Sequence, residues 1–123
     1  MNSIQNIGLL PIIVHPERNA VIQNDISIVH CLKSAGFLIQ VDSGSIEGSF
    51  GNLSAVTSKS LLKHRLVDFI STDAHASQGT RTPIISRSVG IAATFVGNDE
   101  AHNLVNRNPQ ILLSNKSVPN ACK

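Results

Sequence analysis

Hydrophobic and polar positions along the chain switch between a strand-like and a helix-like period. Leu9 to Val14 is an unbroken apolar run rich in β-branched residues, the pattern of a short strand buried on both faces. From Ala20 to Ala35 the apolar positions Val21, Ile22, Ile26, Val29 and Leu32 recur near helical spacing, with Lys33 in the last turn and Gly36 as the stop. Phe37 to Val41 predicts a second strand. Asp42 to Gly51 (DSGSIEGSFG) carries three glycines and three serines and predicts a loop. A second helix is predicted from Asn52 or Ser54 to His64, with Leu53, Val56, Leu61 and Leu62 on its inner face. Leu66 to Ile70 predicts a third strand, running straight into Ser71-Thr72-Asp73-Ala74-His75, and Ala76 to Pro83 reads as a polar loop. Ile84 to Val96 and Glu100 to Asn106 read as helical. Asn108-Pro109 opens a last short helix through Leu113, and the tail is expected to fray from Ser114.

Strand, helix, strand, helix, strand is a βαβ rhythm, which demands parallel pairing and gives an α/β fold. Ligands in such sheets gather at the C-terminal ends of the strands. All three predicted strands end in polar residues: His15-Pro16-Glu17-Arg18, then Gln40 to Ser45, then Asp73-Ala74-His75. That coincidence points to chemistry at one edge of the sheet.

Composition narrows the choice. A chain of 123 residues is one domain at most and long enough to bury a core, and with no Trp, no Tyr and four Phe that core is aliphatic. A net charge of +2 is too small to support nucleic acid or a membrane surface as partner. Ile7 to Val14, interrupted by Gly8 and Pro11, is too short to insert in a membrane and lacks the flanks of a secretion signal, so a cytoplasmic location is expected. Cys31 and Cys122 lack metal or redox spacing and read as a buried thiol and an exposed tail thiol rather than a disulfide.

Asp73 and His75 are two positions apart just past a strand. In an extended segment both would face one side and could reach one metal, and imidazole with carboxylate suits Mn²⁺, Fe²⁺ or Zn²⁺. The competing reading is a capping aspartate beside an exposed histidine. Pro16 is expected to hold His15 extended, where its ring needs either a hydrogen-bond partner or a metal. Arg18 and Arg81 are either surface cations or forks aimed at phosphate oxygens. Glu17 and Glu47 are candidates to support a ligating histidine, more often plain loop charges. His30, His64 and His102 read as structural. No Cys has an arginine at the spacing of a cysteine phosphatase, and neither a phosphate-binding glycine loop nor a serine nucleophile elbow is present. Phosphate chemistry here would need a metal.

Taken in order, Gly8 to Asn19 (GLLPIIVHPERN), Gly36 to Gly51 (GFLIQVDSGSIEGSFG) and Leu61 to His75 (LLKHRLVDFISTDAH), with Arg81-Thr82-Pro83 and Asn108-Pro109-Gln110-Ile111-Leu112, resemble the polymerase-and-histidinol-phosphatase (PHP) superfamily tyrosine-protein phosphatases of bacterial capsule and exopolysaccharide operons. Thr72 stands where that family usually has Ser, and Arg81 is displaced by one inserted residue. The resemblance implies a partial (β/α) barrel of the PHP type, with three parallel strands, crossover helices and C-terminal helices. Residues 1–123 would form the C-terminal portion of the domain, with the N-terminal half absent. It implies His15, Asp73 and His75 as metal ligands, usually to Mn²⁺, and Arg18 and Arg81 as the phosphoryl-binding pair. It implies hydrolysis of phosphotyrosine by a metal-activated hydroxide, with Asp73 passing a proton to the leaving phenolate. The implied partner is a tyrosine kinase of polysaccharide export. Missing the family's N-terminal ligands, this chain is expected to be weakly active or inactive alone, and to associate with itself or with a complementary N-terminal chain. The alternatives are a non-catalytic, partner-binding remnant and a phosphoesterase acting on a small-molecule phosphate.

Overall fold

The apolar runs pair in parallel, as their spacing requires. The computed structural model describes residues 2–79 and 81–118, without the side chains of residues 2 and 3. In chain order the elements are α1 (Asn2–Asn6), β1 (Ile12–Val14), a 3-10 turn (Pro16–Arg18), α2 (Ala20–Asn24), α3 (Ser27–Ser34), β2 (Leu38–Asp42), α4 (Ser43–Glu47), α5 (Asn52–Lys63), β3 (Phe69–Ser71), α6 (Ser86–Val96), α7 (Asn98–His102), a π-helical turn (Asn103–Arg107) and α8 (Asn108–Leu113). Among the described residues the sheet has three strands in the order β1-β2-β3. Ile12 pairs with Leu38, and Asp42 pairs with Ser71. No described helix is long and apolar enough to cross a membrane.

The period of two along each strand sorts side chains onto two faces. Ile39, Val41 and Ile70, with Ile13 at the margin, join Val29, Leu61, Leu62, Ala92 and Leu104 in the main core. Leu38 and Phe69, with Ile12, pack on the other face against Ile111, Leu112 and Val118. The strand N-termini are tied by a buried ion pair. Lys33 Nζ donates to both Asp68 carboxylate oxygens, at 2.7 and 2.6 Å. Asp68 Oδ2 also accepts from the Ile39 amide at 2.8 Å, and the Asp68 carbonyl accepts from Asn108 Nδ2. One aspartate thus fastens α3, β2 and α8 to the start of β3, opposite the end where ligands are expected.

Several expectations are corrected. β1 is only half-buried because it is an edge strand, not one covered on both faces. The helix predicted over Ala20 to Ala35 breaks at Asp25, whose side chain accepts from the Ser27 amide at 3.0 Å and offers the backbone an alternative to helix. The stretch expected as a loop contains α4, capped by Asp42 Oδ1 on the Gly44 amide and ended by Gly48 at φ 90°. On α5, Leu61 and Leu62 are inward as expected, but Leu53 and Val56 are 65% and 56% exposed. Small residues, Ser54, Ala55, Thr57 and Ser58, are buried instead, on a helix that packs against α4, α6 and the 3-10 turn after β1. Helix resumes at Asn98, earlier than Glu100, and passes through the π turn. Cys31 is exposed, not buried, because it sits on the outer side of α3. Past Ser114 the chain does not fray at once: the Lys116 amide donates to the Ile111 carbonyl and Val118 is buried. Cys122 lies outside the described residues.

Candidate active site

The end of β1 sets the first corner of the site. The His15 amide donates to the Gln40 carbonyl at 2.8 Å, the last link of the β1–β2 ladder. His15 then turns left-handed (φ 41°, ψ 53°) instead of staying extended, and the Arg18 amide donates back to the His15 carbonyl to close the 3-10 turn. That turn buries Glu17 and sends Arg18 outward. Asp73, just past β3, is also left-handed at φ 48°. The extended geometry expected of Asp73 to His75 is therefore replaced by a bend. Left-handed backbone at a non-glycine residue costs on the order of 1–3 kcal/mol and collects at functional sites. The other such residues, Arg65 and Asn115, lie just after helix ends, where that conformation is ordinary.

From these corners the charged side chains meet. Arg18 Nη1 is 3.9 Å from Asp42 Oδ2 at the end of β2. Arg81 Nη2 is 3.8 Å from Asp73 Oδ2. Arg81 is placed by its own backbone, whose carbonyl accepts from the His75 and Ala76 amides at 3.0 and 3.1 Å and so pinches off the intervening loop. Both guanidinium groups lie over one aromatic ring, with Cζ 4.5 Å (Arg18) and 5.5 Å (Arg81) from the Phe50 centroid. Arg18 stands between two open clefts of about 460 Å³ each. One runs along His15 and Ile22, the other along Phe50, Leu53 and Gln23.

Behind this surface lies an acidic floor that sequence reasoning missed. Glu17 is fully buried, not a plain loop charge. Its Oε1 accepts from the Asp42 amide at 3.0 Å, while its Oε2, Asp42 Oδ2 and Ser45 Oγ are buried without a well-formed hydrogen bond. Burial pushes the Glu17 carboxyl above its ordinary range, softened by the Ser45 hydroxyl and the Asp42 amide. Asp42 is also raised, by burial first and by the charge of Asp73, against lowering by the Gly44 amide, Arg18 and His15. Asp42 therefore lies within electrostatic reach of both His15 and Asp73. Its signal was available: it directly follows the predicted strand Phe37 to Val41 and precedes Ser-Gly, a capping sequence. Phe50 gave no comparable signal, since stacking on two arginines remote in sequence leaves no local pattern. Glu47 ends α4, and His30, His64 and His102 are exposed.

The donors fit a divalent metal in type but not in number. The Asp73 carbonyl can only accept, so His75 Nδ1, 2.5 Å away, is the donor, and Nε2 is the ring nitrogen left to face a ligand. No hydrogen bond is made to the His15 ring among the described residues. Yet no group of three or more His, Cys, Asp or Glu side chains among the described residues converges as a metal site. His15, Asp73 and His75 share the C-terminal end of the sheet without forming a closed ligand set.

Comparison with known proteins gives this arrangement its context. The model of a family described as capsular polysaccharide synthesis, CpsB/CapC, matches residues 1–114. Tyrosine-protein phosphatase YwqE of Bacillus subtilis is 30% identical over 115 residues, covering 94% of this chain and 44% of the relative. A putative tyrosine-protein phosphatase CapC of Staphylococcus aureus is 37% identical over 73 residues, covering 59% of this chain and 29% of the relative. Among solved structures, the work on YwqE and on CpsB of Streptococcus pneumoniae, described as unique metal-dependent tyrosine phosphatases, provides a chain that superposes with a TM-score of 0.86 at 30% identity. That match covers 95% of this chain and 47% of the other. The chain thus spans less than half the length of the relatives it matches. Sequence and backbone agree over nearly all of its residues, and the chain belongs to the CpsB/CapC family.

Proposed function

We propose that this chain is part of a metal-dependent protein-tyrosine phosphatase of the capsule-synthesis type, acting in the cytoplasm on phosphotyrosine of a kinase that governs polysaccharide export. The observation that carries the reading is the meeting of Arg18 and Arg81, from loops after the first and third strands, over a single ring. Two planar cations over one ring suit a dianion such as a phosphoryl group, which guanidinium forks bind bidentately. Arg18 and Arg81 hold the phosphoryl oxygens, and Asp73, beside Arg81, passes a proton to the leaving phenolate. His15, Asp73 and His75 would contribute ligands to Mn²⁺, with Fe²⁺ or Zn²⁺ as lesser alternatives. When bound, such an ion supplies positive charge at the phosphoryl oxygens and acidifies a water. The remaining ligands come from outside this chain, in keeping with relatives about twice as long. On this reading residues 1–123 are the C-terminal portion of a PHP-type partial barrel.

A second reading, a fragment that binds phosphoprotein without turnover, draws on the incomplete ligand set. Hydrolysis of a phosphotyrosine peptide with added Mn²⁺ separates the two. Turnover is expected to be slow and to fall about 100-fold or more in Arg18→Ala, as when one transition-state donor is lost, and comparably in His15→Ala. Binding of the peptide with no hydrolysis at any metal concentration would favour the fragment.

A further inference from the structure

The stretch Asp42 to Gly51 supplies no group placed on the substrate in the reading above, yet its end lies at the centre of the site. We infer that Phe50 is a positioning residue that presents Arg18 and Arg81 as a pair, and that the turn from Asp42 to Gly51 is built to place its ring. The inference rests on the reading of those arginines as the phosphoryl-binding pair.

Both guanidinium carbons lie over the Phe50 ring, at 4.5 and 5.5 Å from its centroid, so the two cations are no more than about 10 Å apart. Like charges at that separation repel, and long side chains on separate loops would relax apart in water. Three contacts oppose this: Asp42 beside Arg18, Asp73 beside Arg81, and the one ring under both. The aspartates hold one arginine each. Only the ring is common to the two, and its negative π face attracts both cations while allowing them to slide across it.

The surrounding residues explain how the ring comes to be there. Asp42 Oδ1 accepts from the Gly44 amide and starts α4. At Gly44 a Cβ would sit 2.5 Å from Phe50 Cε2, so the ring occupies the space that a side chain would take. Gly48, at φ 90°, turns the chain so that the Ser49 amide donates to the Gly44 carbonyl at 2.8 Å and residue 50 folds back over residue 44, and Gly51, at φ 95°, then leads into α5. The glycines and the phenylalanine thus have one joint purpose, which neither a loop nor a cap alone requires.

The test uses the full chain, inorganic phosphate as probe, and NMR of the arginine Nε–Hε groups. In the wild-type chain the Arg18 and Arg81 Hε signals are expected upfield of their ordinary positions, because both sit over a ring face. Phe50→Leu, which keeps apolar bulk without a π face, is expected to return both signals and to weaken phosphate binding about 3- to 30-fold. Phe50→Tyr restores both. Gly44→Ala, which touches neither arginine, moves the ring and weakens phosphate in the same direction. A merely space-filling role predicts that Phe50→Leu binds phosphate as the wild type does, and that result overturns the inference. Ordinary Hε positions in the wild type overturn it without any variant. Upfield signals in a wild-type chain that binds no phosphate would instead strike the phosphoryl-binding reading itself, and this inference with it.

Discussion

At the residue scale, the buried Glu17 shows how this site departs from a pattern that local sequence can carry. A glutamate between Pro16 and Arg18 reads as solvated, but the left-handed turn at His15 rotates it inward, where one oxygen serves the Asp42 amide and the other has no partner. Its raised carboxyl has a definite consequence for the metal-free protein. The unfolded chain ionises at the ordinary glutamate value, while the folded chain keeps its proton to higher pH. Stability is therefore greatest below the ordinary value, falls as pH rises towards the raised one, and stays low above it. Asp42 has the same sign. Glu17→Gln keeps an oxygen for the Asp42 amide and removes the charge. It is expected to be more stable than the wild type at pH 7 in chelator, with the advantage lost at acidic pH, where the wild-type carboxyl holds its proton. Urea unfolding at neutral and acidic pH measures this, and a less stable variant at neutral pH would mean that the ionised carboxylate has a counter-charge in the fold. The left-handed turns at His15 and Asp73 were equally illegible, since a residue before proline and a D-x-H triplet both read as extended. Lys33 and Asp68, 35 residues apart, carry no local mark of their pairing.

At the element scale, the alternation of strand and helix was legible because it depends on period alone, and parallel pairing follows from it; the order β1-β2-β3 is set by the fold and was not read from the sequence. The candidates His15, Arg18, Asp73, His75 and Arg81 were visible in sequence as polar residues at or beyond strand ends, but their company was not. Asp42 and Phe50 act across elements. Helix α4 was hidden because Ser-Gly-Ser-Ile-Glu has poor intrinsic propensity. It forms through its Asp42 cap, its Gly48 stop and a fully buried Ile46. The inner face of α5 was misjudged because its first half turns small residues, Ser54, Ala55, Thr57 and Ser58, inward among α4, α6 and the 3-10 turn, which large apolar positions alone do not reveal. The two ends of α5 should therefore respond differently to truncation. Leu61→Ala is expected to cost about 2–5 kcal/mol in urea unfolding, whereas Leu53→Ala changes stability by about 0.5 kcal/mol or less. Equal losses at the two positions would contradict the rotation of α5 described here.

At the scale of the whole molecule, the β1 side is the open margin of the described sheet. β1 is an edge, and the segment leading into it presents Ile7, Leu9 and Leu10, with Leu9 58% exposed and Leu10 48% exposed. Unpaired backbone beside apolar side chains invites another chain to add a strand, and no charged residue guards this run: Gly8 to Val14 is GLLPIIV. Pro11 lies inside the run, but its carbonyl faces inward to accept from the Leu38 amide, so it does not blunt the outer edge beyond its own position. The same side carries His15, whose ring has no hydrogen bond among the described residues, so whatever covers β1 also approaches the incomplete ligand set. In the purified chain the nearest available cover is a second copy. Sedimentation velocity is expected to show concentration-dependent association, which Leu9→Lys weakens at least tenfold. A leucine buried in such a contact contributes about 2 kcal/mol, and a two-fold arrangement counts it twice. Circular dichroism of the variant should match the wild type, because Leu9 lies outside both core clusters. A wild-type chain that stays monomeric over the whole concentration range would show that this edge does not pair with a second copy of itself.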